Sequence, residues 1–122
     1  MLALLVAGVA FVAAIPPAVA APAAGAVLAP SDIQSTFFTG QAFTSSTPSN
    51  VKFKMVFTTD GKMTREPLAQ AGAKGEGTWK LTQEGFCTTW KGSTANCFRV
   101  LTAGNNKWSV MKGTTVIATW TK

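Results

Sequence analysis

The stretch from Gly77 to Phe98, G-T-W-K-L-T-Q-E-G-F-C-T-T-W-K-G-S-T-A-N-C-F, constrains the fold of this chain most. It holds both cysteines and two of the four tryptophans within alternating sequence broken by turns. Trp79, Leu81, Phe86 and Trp90 recur at strand spacing around a Gln83-Glu84-Gly85 turn, and Lys91 to Ala95 leads back to Cys97 and Phe98. Pairing Leu81 with Phe86 places Trp79, Leu81, Phe86, Thr88 and Trp90 on one face, and a symmetrical pairing of Cys87 with Cys97 adds Phe98 to it. The opposite face then carries Lys80, Cys87, Thr89, Cys97, Arg99 and Leu101, a mixture suited to solvent or to partial cover by a short helix.

Two cysteines and no histidine fit a single Cys87–Cys97 disulfide better than a metal site, which normally needs three or four such ligands. A disulfide implies an oxidising compartment. The start of the chain agrees: Leu2 to Ile15 is an apolar run, Pro16-Pro17 ends it, and Ala18-Val19-Ala20 matches a small-residue cleavage pattern. The run is shorter than the ~20 residues that span a bilayer. The expectation is a signal peptide over 1–20, a periplasmic or secreted mature chain starting near Ala21, no transmembrane segment in it, an Ala-, Pro- and Gly-rich disordered lead-in over 21–29, and one β domain over 30–122. No Lys or Arg precedes the apolar run, an unusual feature for such a signal.

The rest of the chain reads as short strands. Ser31 or Asp32 can cap a short helix bearing Ile33, Phe37 and Phe38 and ending by Gly40, its apolar face laid on the sheet. Gln41 to Thr44 suits an edge strand. Val51-Lys52-Phe53-Lys54-Met55-Val56-Phe57 alternates cleanly, with both lysines opposite the apolar face. Asp60-Gly61 suits a tight turn into a return strand over Lys62 to Glu66, and Pro67 to Glu76 reads as a loop. Trp108 to Met111, Lys112-Gly113 and Thr114 to Trp120 form a last hairpin. An odd connection over Ala103 to Lys107, the favoured reading, sets Trp108 and Val110 on the same face as Phe98 and Val100, whereas an even one flips them outward. The fold class is mainly β: a small antiparallel β-barrel or strongly curved sheet of about seven or eight strands with one short N-terminal helix.

The succession Phe57-Thr58-Thr59-Asp60-Gly61, Gly77-Thr78-Trp79, Phe86-Cys87-Thr88-Thr89-Trp90 and Cys97 resembles the pattern F-x-x-D-G, G-x-W, L-C-x-x-W, C of a family of short exported bacterial proteins of unknown function. The resemblance runs from about Leu28 to Met111 and implies export and a β fold. It assigns no catalytic residue, and Phe86 stands where that pattern more usually has an aliphatic side chain.

Composition narrows the function further. Eleven Lys and Arg against five Asp and Glu give a net charge of +6, which favours anionic partners, while the absence of His and Tyr removes common acid-base groups. Of the carboxylates, Asp32 reads as a cap, and Asp60 and Glu84 as turn residues; nothing in the spacing of Glu66 and Glu76 supports paired acid-base work. An enzyme is the least supported class, and no metal or cofactor is implied. Trp90, near a loop, is the best candidate for stacking on a flat ligand, whereas Trp79 reads as core. Lys52, Lys54, Lys80 and Arg99, with Lys91 nearby, are candidates for a basic patch, although such charges also serve as solvated guards of a sheet. The sequence thus points to a non-catalytic binding or interaction module of the cell envelope, its partner an anionic envelope polymer or another envelope protein rather than nucleic acid. The alternative is a structural or accessory envelope protein without a small ligand.

Overall fold

The computed structural model describes residues 25–69 and 73–122. The signal-peptide reading over 1–20, with the first part of the expected lead-in, lies outside the described residues. One helix, α1 (Pro30–Phe37), precedes eight strands: β1 (Ala42–Ser46), β2 (Lys52–Phe57), β3 (Lys62–Pro67), β4 (Gly75–Leu81), β5 (Phe86–Trp90), β6 (Asn96–Gly104), β7 (Lys107–Lys112) and β8 (Thr115–Thr121). Each strand pairs antiparallel with its neighbour in sequence, and β1 pairs with β8, so the sheet closes into an up-and-down barrel. The edge strand expected at Gln41 to Thr44 is therefore no edge. Its second partner, β8, lies at the far end of the chain, a pairing that no local pattern announces.

Alternation decides which side chains enter the barrel. On β2, Met55 and Phe57 are buried and Phe53 half-buried, while Lys52 and Lys54 face out. The turn to β3 closes with Thr58 N–H donating to Lys62 O at 2.9 Å, and Gly61 takes a φ of 85° there. Leu81 pairs with Phe86 and Cys87 with Cys97, the register expected from the meander. The Cys87–Cys97 disulfide is formed. Between Thr102, opposite Trp108, and Gly104, opposite Lys107, the register shifts by one residue at a bulge. That shift makes the connection odd and turns Trp108 and Val110 inward, with Val110 opposite Val100.

The helix closes one end of the barrel. With only 8 residues it has little stability of its own, and packing must hold it. Ile33, Phe37 and Phe38 are fully buried. Phe37 meets Phe43, Trp108 and Trp120 at ring-centroid distances of 5.0, 4.9 and 4.8 Å. Phe38 stacks on Phe57 at 4.6 Å and touches Trp79 at 4.4 Å and Phe86 at 5.4 Å. Trp79 is thus a core residue, as expected; its indole N–H donates to Thr58 O at 2.8 Å.

Two expectations about this region are corrected. The helix covers the inner face of the sheet, not the mixed face of Lys80, Arg99 and Leu101, because its aromatic side chains fill the end of the barrel. Nor does Ser31 or Asp32 cap it. The helix starts at Pro30, whose fixed φ suits the first helical position, so Ala29 is the cap residue and Asp32 already lies in the first turn.

The described part of the lead-in is also ordered against the barrel. Beyond Phe98, β6 outruns β5, which begins only at Phe86. Gly25 to Leu28 takes the vacant side: Leu28 N–H donates to Val100 O at 2.8 Å, Thr102 N–H to Ala26 O at 2.9 Å, and Gly25 N–H to Thr102 O. Val27 bridges Leu101. Backbone groups left open on a strand edge need partners, and the lead-in supplies them.

Candidate functional site: the barrel mouth

The barrel interior is filled by aromatic rings at the helix end and is not filled at the other. A cavity of about 180 Å³ remains there. That exceeds the small voids of a close-packed interior, and eight strands are enough to enclose one small ligand. Its floor is Phe57, Phe86 and Trp120, and its walls include Met55, Phe98, Val110 and Ala118. Phe53, Arg65, Trp90 and Thr47 surround the mouth, which lies at the end away from α1.

Arg65 is the unusual member of this wall. It follows Met63 on β3 by two positions, so the same alternation that buries Met63 turns Arg65 inward. Its guanidinium lies 4.6 Å from the centroid of the Trp90 ring and 5.2 Å from that of Phe53, between the two aromatics. Gly75, opposite Arg65 on β4, makes this possible: a Cβ there would stand 3.0 Å from Arg65 Nε and 3.2 Å from the Trp90 ring.

Among the described residues, no carboxylate pairs with this cation. The ion pairs among the described residues are Lys54 with Glu66 at 3.7 Å and Lys74 with Glu66 at 3.9 Å, both on the outer surface. Arg65 Nε is buried without a hydrogen-bond partner among the described residues. Leaving such a donor unmet costs about 1–3 kcal/mol, against roughly 0.5–2 kcal/mol gained from a cation–π contact. Three other polar residues line the cavity. Thr47 is engaged, its Oγ1 accepting from Val51 N–H at 3.0 Å. Ser45 and Thr88 are buried, and neither hydroxyl makes a hydrogen bond to another described residue.

Of the residues singled out in the sequence, Trp90 stands at this mouth, half-buried, with one face against Arg65. The basic residues are not brought together. Lys52 and Lys54 are on β2, Lys80 on β4 and Arg99 on β6, each pair of strands separated by another, and all four point outward. Lys54 pairs with Glu66, which it shares with Lys74, and Arg99 donates to Gly113 O at 3.1 Å. Glu66 and Glu76, on neighbouring strands, border an outer groove that Arg65 and Trp90 also line. Sequence reasoning missed Arg65, Phe53, Ser45 and Thr88 as site residues. The signal for Arg65 was present: in Lys62-Met63-Thr64-Arg65 the buried Met63 fixes the parity, and a charge of inward parity is a departure from the pattern.

No family model, curated protein or solved structure matches this chain.

Proposed function

We propose that this protein is an exported, non-catalytic binding module of the cell envelope, periplasmic or secreted, whose binding element is the interior of the barrel. The observation that supports it best is the half-enclosed cavity of about 180 Å³ left between the aromatic floor and the Arg65–Trp90 mouth. Concave, mostly apolar sites with a few polar groups are where small ligands bind. Export fits the signal-like start and the Cys87–Cys97 disulfide, which persists in oxidising compartments. An anionic polymer held jointly by Lys52, Lys54, Lys80 and Arg99 has less support, because those side chains are spread around the outside of the barrel. A structural role without a small ligand would leave the cavity without a purpose.

The test is occupancy of the interior by a small neutral molecule. Titration with 3-phenylpropan-1-ol, followed by NMR, should shift the indole N–H signals of Trp90 and Trp120 and the methyl signals of Met55 and Val110. Ala118→Leu, which fills part of the wall, should weaken the effect. An unchanged spectrum at millimolar probe, or equal shifts across the outer surface, would remove the reading.

A further inference from the structure

The geometry points to a narrower ligand class, and the inference rests on the interior-binding reading above: the barrel takes a small carboxylic acid, its carboxylate on Arg65 at the mouth and its apolar body inward. The first ground is charge. Arg65 is a cation with a buried, unpartnered Nε at the rim of an apolar cavity, and no carboxylate among the described residues pairs with it. A guanidinium presents a planar fork of donors that matches a carboxylate, and the match strengthens where water is scarce. The aromatic faces of Phe53 and Trp90 already hold that fork in place, so little ordering remains to be done on binding.

The second ground is size. By comparison with a cavity of ~150 Å³ that accepts benzene, about 180 Å³ takes an apolar body of roughly six to eight non-hydrogen atoms. An aryl-alkanoate or a medium-chain alkanoate fits, whereas a long-chain lipid does not. The third ground is the interior chemistry. Beyond Arg65, the lining groups that make no hydrogen bond to another described residue are the hydroxyls of Ser45 and Thr88, which can donate to a carboxylate but carry no charge to repel it. Phe57, Phe86 and Trp120 close the far end, so a charged group is excluded from the floor and the ligand has one favoured direction of entry.

The experiment compares 3-phenylpropionate with 3-phenylpropan-1-ol, molecules of one shape that differ in the anionic head, by calorimetry on the full-length chain and on Arg65→Met. Met keeps the apolar stem and removes the cation. The parent should bind the acid roughly ten- to hundredfold more tightly than the alcohol, as a charge-assisted hydrogen bond provides. Arg65→Met should lose that preference, acid and alcohol then binding about equally, and an unchanged far-ultraviolet circular dichroism spectrum shows that its barrel is intact. Equal binding of acid and alcohol by the parent would overturn the carboxylate inference and leave interior binding standing. Binding of neither would overturn both. The parent comparison decides the matter alone if Arg65→Met fails to fold, and hexanoate against hexan-1-ol should repeat the same preference if the head, not the ring, is what Arg65 recognises.

Discussion

Cys87 and Cys97 face each other directly across β5 and β6, in register, and are joined by the disulfide. The pairing of those two strands runs only from Phe86 opposite Phe98 to Thr88 opposite Asn96. The covalent link therefore sits in the middle of the shortest run of pairing among neighbouring strands of consecutive number, on the strand that also carries Trp90. It ties the strand that ends in this mouth residue to β6.

Removing that link should be costly. In the chain-entropy treatment, a loop of this length contributes ~2.5–3 kcal/mol, a large share of the stability of a small domain. A Cys87→Ser/Cys97→Ser form should lose about 10–20 °C in Tm, and hydrogen exchange should accelerate first at Thr88, Thr89 and Trp90. A variant within a degree or two of the parent would show that the strand pairing alone holds this seam.

Asp60 offers a pH-dependent check on the β2–β3 turn. Its carboxylate accepts a hydrogen bond from the Thr58 hydroxyl, the main cause that holds its pKa below the ordinary aspartate value, aided by the Lys62 backbone and charge. A carboxyl with a depressed folded-state pKa adds stability that is fully present above the unfolded value of ~3.9 and is lost as pH falls through the folded value. Carbon-detected NMR titration should therefore place Asp60 below an unstructured aspartate, and Thr58→Val should move it upward. The group is fully exposed, so salt should reduce the difference. A titration that is unchanged in Thr58→Val would break the link between the hydroxyl and the shift.

The local half of this fold was legible and the closing half was not, for reasons visible at particular residues. Val51 to Phe57 declares its faces by alternation, and Asp60-Gly61 declares its turn. Leu81 opposite Phe86 and Cys87 opposite Cys97 follow from the turn lengths between them. The β1–β8 pairing and the pairing of Gly25 to Leu28 with β6 depend on what remains unpaired after the rest has folded, and sequence pattern has no term for that. The site shows the same division. Trp90 was visible as an aromatic near a loop, but its partner Arg65 sits in a short polar strand, where one buried Met63 is the sole marker of which parity faces inward.

The helix plug supplies the last prediction. Phe38 is 1% exposed and packs on Phe57, Trp79 and Phe86, joining β2, β4 and β5 at one end of the barrel. Phe38→Ala removes a ring from a site that rigid strands cannot collapse around, so the cavity term adds to the lost burial, and the cost should be about 3–5 kcal/mol. Gln34→Ala, at an exposed position of the same helix, should stay within about 0.5 kcal/mol of the parent. Denaturant midpoints at constant slope read both effects. The hole left by the ring adjoins Phe57 and Phe86, which also form the floor of the interior cavity. Phe38→Ala should thus accept a longer probe, such as 5-phenylpentan-1-ol, that the parent binds weakly, and binding should restore part of the lost stability. A small loss in Phe38→Ala, on the scale of the Gln34 control, would mean that the barrel closes without its plug and that α1 merely rests on it.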